Sequence, residues 1–123
     1  FPTNWDTFLD NYNMFKRIND NKMLFSVTVQ AMNLPVIDDL VEYFPDDTFI
    51  LNQLNYPEIL HINSLKPKVI ADVLAKTKLP KVKQMCEAYS RNKNGNVKLK
   101  EYLTQLDTKR KTNSPKIMPW CFI

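Results

Sequence analysis

A single glycine, Gly95, stands in a chain of 123 residues. All-β folds need many turn residues at positive φ, and phosphate-cradling loops need glycine for the same backbone freedom. Both classes are therefore disfavoured, and the sequence predicts helices joined by short polar breaks. Eight prolines punctuate it, and several stand where a helix can begin. The length allows one domain or two lobes of about 50–60 residues each. Apolar residues make up 44% of the chain, enough for a packed core. No apolar run approaches the roughly 18 residues of a membrane span, and no signal peptide is visible.

Apolar spacing marks the helices. Trp5, Phe8, Leu9, Tyr12 and Phe15 form one aromatic stripe. A polar break at 19–22 ends it. Met23 to Phe25 reads as a short extended piece, and Ser26 as the cap of a second helix with Val29 and Met32 inward. Leu34-Pro35 opens a helix carrying Val36, Ile37, Leu40, Val41 and Phe44. Phe49 to Leu51 can be extended, and Glu58 to Leu60 suits a short helix. Pro67–Lys76 and 80–89 are predicted helices, the second with Val82, Met85, Cys86 and Tyr89 on one face. Val97 to Leu99 reads as extended, before a last helix with Tyr102, Leu103 and Leu106.

Charge divides the chain. Residues 1–60 carry nine acids and three bases; residues 61–123 carry four acids and fourteen bases. Such a dipolar chain can meet an acidic partner with one end, or its two halves can pair within one fold. The organisation expected is an acidic helical lobe over 1–60, a basic lobe over 61–107, and a basic then apolar tail over 108–123.

Residues 90–101 read Ser-Arg-Asn-Lys-Asn-Gly-Asn-Val-Lys-Leu-Lys-Glu. Oxygen-bearing residues alternate around Gly95 and end on Glu101, with apolar helices on both sides. Over residues 80–106 this resembles an EF-hand of the calmodulin and myosin light chain type. In that family the glycine allows a sharp turn, the oxygens suit a hard cation, and the final Glu grips it with both oxygens. The resemblance implies a ligand set of Ser90, Asn92, Asn94, Asn96 and Glu101, with Val97 in a short β-bridge. The loop departs from the family in ligand charge. Arg91, Lys93, Lys98 and Lys100 face one acid, so calcium is expected to bind poorly or not at all, and no other cofactor is expected.

The resemblance implies an all-α fold of paired helix–loop–helix units with minimal β-bridges. It implies calcium-independent scaffolding on a motor or cytoskeletal partner, through an amphipathic helix or an acidic cytoskeletal surface, in the cytoplasm or on the cytoskeleton. Met14, Met23, Met32 and Met85 are candidate groove residues, with Trp120, Phe122 and Ile123 of the tail as apolar anchors. Residues 79–103 also resemble a SAP motif, through Leu79, Val82, Met85, Gly95, Lys98 and Leu103. That alternative implies a basic DNA-binding module.

Catalysis is not expected. His61 is the one histidine and lies in an apolar stretch. The carboxylates at 38, 39, 46 and 47 read as a solvated helix face and a cap. Cys86 and Cys121 are too few for a disulfide framework and favour a reducing, intracellular setting, with their pairing left open.

Overall fold

The structure is a computed structural model that describes residues 4–18, 23–89 and 97–123. Its order is α1 (Trp5–Ile18), β1 (Leu24–Val29), α2 (Ile37–Tyr43), β2 (Thr48–Gln53), α3 (Pro67–Lys76), α4 (Pro80–Tyr89), α5 (Val97–Arg110) and α6 (Ser114–Ile117). Short 3-10 turns precede α2, join β2 to α3 and close the chain.

The expected all-α fold with minimal β-bridges is overturned by a two-stranded sheet. β1 and β2 run parallel, with Leu24 opposite Thr48 and Val29 opposite Gln53. Parallel strands need a long crossover, and residues 30–47, with α2 inside them, supply it. The predicted second helix at Ser26 is strand instead. Leu-Phe-Ser-Val-Thr-Val is rich in β-branched residues and alternates, so Phe25, Val27 and Val29 turn inward while Leu24, Ser26 and Thr28 face out. β2 alternates in step, with Phe49, Leu51 and Gln53 inward.

α1 lays its aromatic stripe over one end of the sheet. Phe44 follows α2 and is buried. Its ring lies 4.9 Å from Tyr12 and 5.0 Å from Phe25, and Phe25 lies 5.0 Å from Phe49. Beneath these rings the Asp47 carboxylate accepts hydrogen bonds from the Tyr12 hydroxyl, the Lys16 ammonium and the Met23 amide. Its side chain is 0% exposed. Burial opposes the charge, but these three bonds outweigh it and hold the carboxyl below its ordinary range.

One cluster of buried side chains forms the core, drawn from the acidic segment (Val29, Leu34, Ile37), the basic segment (Ile62, Ile70, Val82, Leu99, Leu103) and the tail (Cys121). α3 and α4 both start at proline and turn Val69, Ile70, Val82, Met85 and Cys86 inward. α5 ends in a left-handed cap. Lys111 has φ 54°, and the Thr112 amide donates to the Asp107 carbonyl at 3.2 Å. That six-to-one bond marks a Schellman ending, where glycine is usual. The Asp107 side chain then accepts from the Thr112 hydroxyl at 2.6 Å and the Ser114 amide at 2.9 Å, fixing the turn into α6.

Val97 neither bridges nor extends. It is the first residue of α5 and is 71% exposed. Ser90, Asn92, Asn94, Gly95 and Asn96 lie outside the described residues, and Glu101 is exposed on α5. No helix among the described residues is long and apolar enough to cross a membrane.

Candidate functional site

A cleft of about 360 Å³ opens between α2, α3 and the C-terminal residues. Asp38, Asp39 and Glu42 line it from α2, and Asp72 from α3; Lys76 and Lys78 are the cationic lining residues among those described. Val69 and Val73 form apolar wall on the α3 side, and Trp120 and Ile123 close it from the tail. The cleft is thus an apolar trough with a surplus of carboxylate on its rims.

Its shape depends on Asp38. One carboxylate oxygen accepts the Thr77 hydroxyl at 2.7 Å, and the other accepts the Lys78 amide at 2.9 Å. The Thr77 hydroxyl in turn accepts the Leu79 amide at 3.2 Å. These bonds pin the α3–α4 linker to α2 and join the acidic segment to the basic one. Glu42 meets the Lys78 ammonium at 3.7 Å, but both side chains are largely in solvent and the pair contributes little. Asp39 and Asp72 have no ion pair among the described residues, so their charge faces an incoming ligand.

The chain matches no family model, no curated protein and no solved structure. What the site can do therefore rests on its own chemistry.

The structure separates the predicted partner-binding residues. Trp120 and Ile123 meet at the cleft, and Ile123 is 60% exposed. The Trp120 indole N–H is satisfied by the Ala31 carbonyl, so the ring is held in place while its surface lines the cleft. Phe122 and Met32 pack on the core, and Met85 belongs to it at 4% exposure. Met14 is half exposed on α1, away from the cleft lining. Of the residues in the SAP-like reading, Val82, Met85 and Leu103 are buried. No group of three or more metal-ligating side chains occurs among the described residues.

In the sequence Asp38 and Asp39 read as a solvated helix face, and nothing but spacing singles out Glu42 and Asp72. Residues 38, 39 and 42 share one face of a helix, as do 69, 72, 73 and 76. Nothing in either spacing says that the two faces meet.

His61 and the thiols are committed elsewhere. The Asn63 amide donates to His61 Nδ1 at 2.9 Å, so the neutral ring carries its proton on Nε2. Burial lowers its pKa, against a smaller opposing effect of Glu58. Cys86 and Cys121 are separate, buried thiols, pushed up to about 11 by burial.

Proposed function

We propose that this protein is a non-catalytic binding module that holds a basic amphipathic helix of a protein partner in the α2–α3 cleft. The observation that carries the reading is that Asp39 and Asp72, which have no ion pair among the described residues, line the same cleft as the fixed ring of Trp120. A lysine or arginine stem can lie along Val69, Val73 and the indole while its cationic head meets a carboxylate. Apolar residues one turn away on the same helix would fill the trough. A cationic ligand is favoured over an acidic surface at this site because acids outnumber bases along its lining. The non-catalytic reading is supported by the Asn63 amide that occupies His61 Nδ1 and by the protonated thiols. The motor or cytoskeletal nature of that partner rests on the EF-hand resemblance alone.

The test is calorimetric titration with a fourteen-residue model helix of leucine and lysine, beside a version with glutamate for lysine. The lysine helix should bind, weakening as salt rises. The glutamate helix should not bind. Asp39→Asn combined with Asp72→Asn should weaken the lysine helix at least about tenfold. Equal affinity for both helices, or no effect of the double substitution, sinks the proposal.

A further inference from the structure

The outer edge of β2 borders a second groove, independent of the cleft. Two adjoining hollows of about 610 Å³ and 310 Å³ run side by side. Both are lined by Leu51, Asn52 and Lys81. The first reaches back along β2 to Phe49 and along the start of α4 to Leu79; the second reaches on to Gln53 and Tyr89. Together they form one channel with β2 as one wall and α4 as the other.

The backbone of β2 fixes what that wall offers. The sheet has two strands among the described residues, so β2 has β1 on one side only. The Thr48 amide donates toward β1, to the Met23 carbonyl at 3.0 Å, and the Leu54 amide does the same, to Val29. Peptide groups alternate in direction along a strand, so Phe49, Leu51 and Gln53 turn their N–H and C=O groups away from β1, into the groove. Edges are usually guarded by charge, proline or a bulge. Thr-Phe-Ile-Leu-Asn-Gln has neither charge nor proline, and its register with β1 is continuous over six residue pairs.

We propose that this groove binds an extended acidic segment of a protein partner, which adds to the sheet as a third strand beside β2. The added strand pairs with the backbone of Phe49, Leu51 and Gln53 and lays alternate apolar side chains over Leu51 and Leu79. Acidic character follows from charge. Asp47 and Lys81 are the charged lining residues; Asp47 is buried and bonded to Lys16, whereas Lys81 is exposed on the α4 rim. An incoming carboxylate meets Lys81 and no exposed acid of the lining. Six strand residues span about 20 Å, so a segment of five or six residues fills the groove.

The probe is the acetylated, amidated peptide Thr-Val-Glu-Val-Thr-Val, added to the full chain labelled with ¹⁵N. Amide shifts should move at Phe49, Leu51 and Gln53 and along α4, and α2–α3 cleft amides should not follow. Two N-methylated versions, one blocking the odd and one the even amides, separate a ladder from mere apolar contact. One should lose affinity at least about tenfold while the other keeps most of it, because only one set of amides faces β2. Lys81→Glu should weaken the peptide several-fold and prefer the version with Lys in place of Glu, which also shows that the variant is folded. Shifts absent or confined to other surfaces, equal effects of the two methylations, or no charge preference at Lys81 overturn the proposal. So does self-association of the chain through β2 that the peptide fails to compete.

Discussion

The Trp120 indole N–H donates to the Ala31 carbonyl at 3.1 Å, across 89 positions of sequence. Ala31 follows β1 and is fully buried, and its carbonyl also lies 3.6 Å from the Cys121 thiol. The tail is therefore a structural strap over the start of the crossover as well as a wall of the cleft. Trp120→Ala should destabilise the fold by about 3 kcal/mol, from lost ring contacts and an exposed cavity. Trp120→Phe keeps most of the contact and should cost about 1 kcal/mol for the lost hydrogen bond. Urea unfolding measures both; equal and negligible effects would show that the strap does not hold.

Asp47 predicts an acid limit to stability. Its folded pKa is below the ordinary 3.8, so the unfolded chain takes up its proton first as pH falls. The stability that Asp47 contributes is present above that ordinary value and is lost as pH drops through the lower folded one. Asp47→Asn should destabilise by about 1–2 kcal/mol at pH 7, since three donors lose a charged acceptor. The gap to the parent should narrow below about pH 3.8. Thermal unfolding across pH 2–7 reads it, and a gap that stays constant counts against the arrangement.

His61 acts nearer neutrality and in the same direction. Burial depresses its pKa below 6.5, and protonation at Nδ1 would take away the acceptor used by Asn63. The unfolded chain therefore binds the proton first, so stability should fall as pH drops below about 6.5 and level off once the folded ring also titrates. His61→Asn should flatten this step. A ring shown by NMR to titrate at or above the ordinary value would contradict it.

Both thiols should be inert in the folded protein. With a pKa of about 11, each holds on the order of 0.1% thiolate at pH 8. An aromatic disulfide reagent should label them slowly, at a rate set by opening of the structure and rising with urea. Immediate labelling of either residue would disprove its burial.

Lys111 occupies the left-handed cap of α5. A residue with a Cβ pays for that conformation, so Lys111→Gly should stabilise by roughly 0.5–1 kcal/mol despite a freer unfolded chain. Lys111→Val should destabilise, because branching at Cβ worsens the same clash. Midpoints in urea distinguish the two substitutions; a shift in the same direction for both would rule out a backbone origin.

Much of the helical framework was legible in the residues. Proline at the first helical position and an apolar stripe of helical period place α3 and α4 at Pro67–Lys76 and Pro80–Tyr89. β1 was not legible. Val29 and Met32 satisfy a helical spacing, Phe25, Val27 and Val29 satisfy a strand, and Ser26 can cap a helix. Local propensity is nearly balanced there, and pairing with Thr48–Gln53 tips it. The cleft was half legible, since Trp120 and Ile123 stood out as apolar residues needing cover while its carboxylates resembled ordinary helix surface.

By itself, the sequence determined which segments carry an amphipathic helical face, where prolines start them, and that scarce glycine disfavours an all-β fold. These are local matters, governed by side-chain period and backbone sterics within a few residues. Only the tertiary structure decided that β1 pairs with β2, that Asp38 draws the α3–α4 linker onto α2, and that the tail lies over Ala31. Each of those depends on groups distant in sequence burying surface or satisfying hydrogen bonds together, and no spacing along the chain encodes which distant partner prevails.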